Sequence, residues 1–312
     1  MKAARLQTFG SPEVIAIQDL DLPAPAAGEV LVQVRAAGVG PWDAWVRRGE
    51  SVRVPPQALP VTLGSDLAGT VVSVGPGVTA FAPGDEVFGV TGANFCGACA
   101  QFAVAQASML ARKPRTLDFI AAAAAPVVAV TAWQMLFDHA RLRGGQTVLV
   151  LGGSGSVGTC AVQLAHGSGA RVIATTSSDA QADILRRGAA QVIDTRVAPL
   201  GAGLASVDVV IDTVGGDLQG QSMRLLKPGG VIVSAVSAPD ATLAAAAQVR
   251  GIYFIVAVNS PCLQRIAAQM ERGTLDVPVG SVLPLRQVRE AHRMLDGLQA
   301  HPRGKIVLTV DA

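Results

Sequence analysis

The chain has 312 residues, half of them apolar and 15% charged, with 34 glycines and a net charge of +2. That length supports two domains, and that apolar share excludes a disordered chain. The near-balanced charge and the 4% aromatic content exclude a basic, base-stacking nucleic-acid surface and give no attraction to an anionic membrane.

Met1-Lys2-Ala3-Ala4-Arg5 runs into polar residues and Gly10-Ser11-Pro12 without an apolar signal core, so a cytoplasmic protein is expected. Up to about residue 118, short β-branched runs cover 30–36, 67–74, 86–90 and 101–104. Turn clusters such as Gly75-Pro76-Gly77 and Ala82-Pro83-Gly84-Asp85 separate them, which predicts an all-β, barrel-like part. Cys96-Gly97-Ala98-Cys99 has metal or redox spacing. No second cysteine pair or nearby histidine completes a zinc set, so these read as incidental thiols.

Residues 119–137 carry no charge, yet five consecutive alanines, Pro126, Thr131 and Gln134 favour a buried helical region over a membrane span. Strands and helices then alternate. Strands are predicted at 147–151, 171–175, 191–193, 207–212, 231–234 and 253–258. Helices are predicted at 155–166, 180–187 and 217–226, the last ended by Lys227-Pro228-Gly229-Gly230. Six such strands make a doubly wound parallel sheet. Helices at 263–271 and 288–298 and a strand at 305–310 close the chain and are expected to return to the β-rich part.

The strand Val148-Leu149-Val150-Leu151 enters Gly152-Gly153-Ser154-Gly155-Ser156-Val157-Gly158 and then a helix. Glycines let a backbone approach a pyrophosphate, and the unpaired N–H groups of a helix start receive it. Gly152, Ser154, Gly155, Ser156, Val157 and Gly158 are therefore candidate dinucleotide contacts. The second strand ends in Thr175-Thr176-Ser177-Ser178, with Asp179 arriving late, instead of the carboxylate that holds the ribose of NAD. Thr176 and Ser177, with Arg196 as counter-charge, thus favour a 2′-phosphate and NADPH. The alternative is that these hydroxyls cap the next helix.

Several segments together resemble the zinc-free quinone reductases (zeta-crystallin-like) of the medium-chain dehydrogenase/reductase superfamily, essentially end to end. They are Ala36-Ala37-Gly38-Val39-Gly40-Pro41-Trp42-Asp43, Gly64-Ser65-Asp66-Leu67-Ala68-Gly69 with Val72-Ser73-Val74-Gly75, and Pro83-Gly84-Asp85-Glu86-Val87. Asp208 to Gly216 and Gly304-Lys305-Ile306-Val307-Leu308 also match. The resemblance implies an α/β protein: a discontinuous GroES-like β-barrel catalytic domain (1–120 and 262–312) plus a Rossmann domain (121–261). It implies an active site in the cleft between them and a homodimer paired through the strand at 253–258. It also assigns Thr131, Val214, Ser234, Ala235, Val236, Phe254, Ile255, Val256 and Lys305 to the cofactor or its nicotinamide end, and Trp42, Asp43 and Trp45 to the substrate side. Thr131 could equally be a buried helix hydroxyl, and Asp43 a structural cap.

The zinc alcohol dehydrogenases of this superfamily carry a cysteine near Gly40 and Gly-His-Glu where this chain has Gly64-Ser65-Asp66, so no catalytic metal is expected. Against the zinc-free reductases, Gly40 replaces an asparagine and Trp45 a tyrosine. Gln181 and Thr195 replace the lysine and tyrosine that often hold the 2′-phosphate. His139, His166, His292 and His301 lack acidic partners at useful spacing and read as structural or exposed. Ser154 misses the hydrolase elbow by one glycine position. The expected activity is metal-free hydride transfer from NADPH to a quinone or enone. The alternatives are a trans-acting enoyl-thioester reductase, with Arg47, Arg48 and Arg53 as a carrier-binding patch, and a weakly catalytic NADPH-binding sensor or structural protein.

Overall fold

Short strands punctuated by Gly and Pro form through the first third of the chain: β1 (Lys2–Leu6), β2 (Ile15–Asp19), β3 (Glu29–Val39), β4 (Val61–Thr62), β5 (Asp66–Val74), β6 (Glu86–Val90), β7 (Phe102–Gln106) and β8 (Leu110–Arg112). One helix interrupts them, α1 (Pro41–Arg48). Pro41 opens it, and Asp43 Oδ2 reaches back to accept from Gly40 N at 2.8 Å. The computed structural model describes residues 1–201 and 204–311.

The uncharged run after residue 119 folds as α2 (Phe119–Ala123), α3 (Pro126–Trp133) and a π-helical turn, Gln134–His139. Proline breaks it, and no helix among the described residues is long and apolar enough to cross a membrane. Then come β9 (Thr147–Leu151), α4 (Ser156–Gly167), β10 (Arg171–Thr176), α5 (Gln181–Arg186), β11 (Gln191–Asp194), β12 (Val207–Asp212), α6 (Gly216–Met223), β13 (Leu226–Ser234), α7 (Ala241–Ala246) and β14 (Arg250–Tyr253). The chain closes with α8 (Ser260–Glu271), β15 (Val279–Pro284), α9 (Val288–Leu295) and β16 (Lys305–Thr309).

Two units result. The first takes Met1–Val127, Val258–Arg272 and the segment from Val277 onward; the second takes Val128–Ala257 and Gly273–Asp276. In the first, β2-β1-β4 form a small antiparallel sheet, and β15-β16-β3-β5-β6-β8 form a larger one with β7 added to β3. Val32, Val34, Leu67, Val71, Val87 and Leu110 fill its core, joined by Val288, Ala291 and Met294 of α9. Each large aliphatic side chain so buried contributes about 1.5–3 kcal/mol before entropy is counted. This is the GroES-like β domain.

The second unit is an all-parallel sheet in the order β11-β10-β9-β12-β13-β14. Its central strands are buried on both faces, which is why β9 reads Thr-Val-Leu-Val-Leu instead of alternating. The chain enters at β9, runs to one edge and then to the other, so the order reverses between β9 and β12 as in a Rossmann fold.

Two of the strand boundaries that differ from the sequence expectation have a visible cause. Strand β13 starts at Leu226, not 231, because Leu226 is already paired with Val207; the Lys-Pro-Gly-Gly turn sits inside the strand as a register shift. Strand β14 covers Arg250–Tyr253, not 253–258. Beyond it the Gln134 side chain donates to Ala257 O (2.8 Å) and accepts from Ala257 N (3.1 Å), occupying backbone groups that a continuing strand would need. Helices α1 and α7 and strand β15 lie outside the elements expected from the sequence.

Candidate functional site

The glycine turn leaves β9 and starts α4. Gly152 adopts φ +78°, and a Cβ there would lie 2.7 Å from Thr213 Oγ1 and Val214 Cγ2. A Cβ on Gly158 would lie 2.1 Å from Gly152 O, so helix and turn pack at a distance that only glycine allows. No side chain caps α4 at Gly155. The first amides of α4, from Ser156, Val157 and Gly158, therefore open a helix N-terminus suited to an anion. Ser154 stands beside them, its Oγ accepting from Thr176 Oγ1 at 3.1 Å.

Apart from Thr131 in α3, the other residues assigned to the cofactor in this unit also stand at the carboxyl end of the sheet or just beyond it. Asp212, ending β12, is the organiser that sequence reasoning missed. It is fully buried; Oδ1 accepts from Val214 N (3.0 Å) and Gly215 N (2.8 Å), and Oδ2 from Ser234 Oγ and Gln219 Nε2 (both 2.8 Å). Ser234 Oγ in turn accepts from Val236 N at 3.2 Å. Asp212 and Ser234 thus shape the loops that carry Val214, Ala235 and Val236. A carboxylate ending a central strand was the available signal.

Val214, Val236 and Ile255 are 46%, 45% and 51% exposed at the ends of adjacent strands, an apolar edge beside the polar glycine turn. Phe254 N donates to Ser234 O (3.2 Å), and its ring lies 4.5 Å from that of His139. Val256 follows, half-buried, and Thr131 is buried within α3. A narrow glycine turn, an uncapped helix start and an apolar edge at the topological switch point fit a dinucleotide.

Thr176 is buried while Ser177 is exposed. Thr195 Oγ1 donates to Thr176 O at 3.1 Å, which ties the end of β11 to the end of β10. Arg196 sits in that corner, engaged by Asp194 and Asp179. Asp194 is two residues from Arg196, whereas Asp179 comes from the turn after the adjacent strand β10.

Lys305 belongs to the first unit, where it meets Trp42 and Asp66. Its ammonium lies 4.2 Å from the centroid of the Trp42 ring and 3.0 Å from Asp66 Oδ2. The latter contact is off the hydrogen-bond direction, so the attraction is chiefly Coulombic. Asp66 Oδ1 accepts from Val127 N at 3.1 Å, and Trp42 Nε1 donates to Ser65 Oγ at 2.8 Å. Burial raises the Asp66 carboxyl above the usual carboxylate range, with Lys305 opposing. Burial likewise pushes Asp43 up to about 7, opposed by its bond from Gly40 N and by Lys305. Asp43 caps α1, while Trp45 on the same helix is half-exposed, apart from this buried group.

Folding removes Arg47 from the proposed carrier patch. Arg47 is 1% exposed, donating to His292 Nδ1 (3.2 Å) and Gly10 O (2.7 Å) and pairing with Asp296 (2.5 Å). Arg48 pairs with Glu50 and Asp296, and the Arg53 guanidinium lies over the Phe95 ring. Burial, then the Arg47 charge, pushes His292 down to about 3, keeping it neutral. Burial also pushes the Cys96 thiol up to about 12, and Cys99 well above its ordinary value. Among the described residues no group of three or more His, Cys, Asp or Glu could hold a metal ion.

Comparison with known proteins agrees with this architecture. Residues 26–138 match the alcohol dehydrogenase GroES-like domain, and residues 187–308 match the zinc-binding dehydrogenase family. A GroES-like domain joined to a Rossmann domain with this glycine turn defines an NAD(P)H-dependent oxidoreductase of the medium-chain dehydrogenase/reductase class. The quinone oxidoreductase of Rattus norvegicus is 34% identical over 98% of this chain and 96% of its own. The solved quinone oxidoreductase of Coxiella burnetii superposes with a TM-score of 0.91 at 30% identity, covering 100% and 99% of the two chains. A mycobacterial protein solved in complex with NADPH gives 0.85 at 30% identity, covering 99% and 100%. The chain belongs to the quinone oxidoreductase family.

Proposed function

We propose that the chain is a cytoplasmic, NADPH-dependent reductase that transfers hydride to quinones or α,β-unsaturated carbonyls without a metal. The observation that carries the metal-free part is the pair Gly40 and Ser65, at the positions where zinc-dependent relatives hold ligands. Gly40 has no donor side chain, and the Ser65 hydroxyl is committed to Trp42 Nε1. When bound, the reduced nicotinamide supplies the hydride.

The glycine turn and the amides of Ser156, Val157 and Gly158 hold the pyrophosphate. Thr176, Ser177 and Arg196 receive the 2′-phosphate. Val214, Ala235, Val236, Phe254, Ile255 and Val256 keep the nicotinamide end apolar and water-poor, with Thr131 as a hydroxyl partner. Trp42 and Trp45 offer flat surfaces to a planar acceptor, and Lys305 steadies the Trp42 ring from behind. The acceptor's own carbonyls stabilise the developing charge, so positioning supplies most of the acceleration and solvent supplies the completing proton. Asp43 acts as a helix cap, not as a proton donor.

Edge strand β14 is the proposed pairing surface of a homodimer, supported by its position at the end of the sheet and by half-exposed Tyr253. Burial of Arg47 weakens the support for an enoyl-thioester reductase acting on a carrier. The second reading, an NADPH-binding protein with little turnover, is favoured by one feature: the Trp42 ring fills the space beside Gly40 where a side chain would project.

The test is enzyme-dependent loss of reduced-nicotinamide absorbance with 1,4-benzoquinone and with an enone, using NADPH and NADH, before and after chelation. Chelator-resistant NADPH oxidation is expected. Saturable NADPH binding without turnover on either acceptor moves the assignment to the second reading, and chelator-sensitive turnover overturns the metal-free part.

A further inference from the structure

The charge at the corner between β10 and β11 is more than a simple 2′-phosphate site requires. Arg196 serves two carboxylates at once. Asp194, with 6% of its side chain exposed, accepts from Arg196 Nε (3.0 Å to Oδ1, 3.2 Å to Oδ2), from Nη2 (2.6 Å) and from the Arg196 backbone N (3.0 Å). Asp179, with 88% of its side chain exposed in the turn before α5, accepts from the same Nη2 at 2.8 Å. One guanidinium therefore faces two carboxylates before any ligand arrives. It also lies where a Rossmann site reads the ribose. Thr195, next to Arg196, bonds the backbone of Thr176, and Thr176 bonds Ser154 of the glycine turn.

We infer that Asp179 is a specificity-determining residue for the dinucleotide, competing with a 2′-phosphate for Arg196. This rests on the NADPH reading above. The two carboxylates play different parts because they are held differently. Asp194 is nearly buried and grips Arg196 by side chain and backbone together, so it anchors the guanidinium and stays. Asp179 is exposed and reaches the Nη2 corner from the solvent side, so a phosphate bonds Nη2 by taking the place of the Asp179 carboxylate. The displaced carboxylate then faces the phosphate as a like charge. NADH, with a hydroxyl at that position, meets neither cost. Asp179 thereby lowers the preference for the phosphorylated dinucleotide below what Arg196 alone would give. Exposed ion pairs are weak, so the effect is graded.

Calorimetric titration with NADPH, NADH and adenosine 2′-monophosphate tests this on the wild-type protein, Asp179→Asn, Arg196→Gln and the double variant. Asp179→Asn is expected to bind NADPH and adenosine 2′-monophosphate about two- to fivefold more tightly, with NADH affinity unchanged. Arg196→Gln should weaken both phosphorylated ligands by about tenfold and leave NADH unchanged, and in that background the gain from Asp179→Asn should shrink. Equal gains for NADH and NADPH, or a gain that persists in full without Arg196, overturn the inference. Weaker NADH binding in Asp179→Asn with NADPH unmoved also overturns it and makes Asp179 a ribose-hydroxyl ligand. If the wild type binds NADH alone and Asp179→Asn admits NADPH, the inference stands and the NADPH reading falls.

Discussion

The Trp42 ring lies against Gly40: a Cβ built on Gly40 would sit 2.4 Å from Trp42 Cη2 and 2.5 Å from Cζ2. Gly40 has φ −141° and ψ 172°, extended backbone that any residue adopts, so the indole and not the backbone excludes a side chain there. The two residues form one unit, in which the absent side chain is the space that lets the indole reach Ser65 and Lys305.

Gly40→Ala is therefore expected to overpack the site and destabilise the protein by about 1–3 kcal/mol. In a Trp42→Ala background the same substitution should cost much less, giving a coupling of about 1 kcal/mol or more in a double-mutant cycle. Denaturant unfolding of the four proteins measures it, and additive single effects would show that the indole does not set the limit.

Lys305 is the charge partner of a carboxylate with no surface exposure, Asp66. Lys305→Met leaves that carboxyl buried and unpaired, with an expected loss of about 3–5 kcal/mol. Adding Asp66→Leu removes the uncompensated group and should recover a large part of the loss. The check is the thermal midpoint of the single and double variants, together with tryptophan emission, which should shift when the ammonium leaves the Trp42 face.

Asp43 and His292 impose opposite pH slopes on stability. Unfolded Asp43 ionises near pH 4, whereas the buried group holds its proton to about 7. The native state therefore binds more protons between these values, and the Asp43 contribution falls as pH rises through that window. Unfolded His292 takes a proton below about 6.5, whereas the buried imidazole stays neutral to about 3. There the unfolded state binds more protons, so this contribution is lost as pH falls. Each slope is bounded by about 1.4 kcal/mol per pH unit, one proton's linkage. Across the shared window, roughly pH 4.5 to 6.5, Asp43→Asn should gain stability with rising pH relative to wild type. His292→Gln should show the reverse. Parallel wild-type and variant profiles would refute the assignment.

Gly158→Ala places a methyl 2.1 Å from Gly152 O. Since backbone meets backbone there, the turn and helix must separate, and NADPH affinity should drop by about tenfold or more, as when the phosphate contacts are misaligned. Gly155→Ala, whose nearest neighbour would be Gly152 O at 3.4 Å, is the control and should fold with little change. Equal affinities for the two variants would remove Gly158 from the cradle.

Local patterns made the Rossmann half easy to read. The buried run of β9, the glycine turn and the helical spacing of α4 are contiguous, and their meaning depends on neighbours in sequence. Strand β14 was misplaced because Phe254 to Val258 is as β-prone as Arg250 to Tyr253. Only the bonds from Gln134 to Ala257 decide which stretch stays in the ladder. The carrier patch lost Arg47 for a similar reason. Arg47 looks exposed on a short helix, but its partners His292 and Asp296 lie 245 and 249 positions away.

The sequence by itself determined the two-part architecture, the dinucleotide turn and the lack of ligating side chains at Gly40, because each is written in adjacent residues whose backbone preferences act locally. Tertiary structure alone decided which distant charges are spent on one another: Lys305 on Asp66, Arg196 on Asp179, Arg47 on Asp296. Coulombic and hydrogen-bonded partners are chosen by distance in space, and the fold brings together residues that chain order keeps apart.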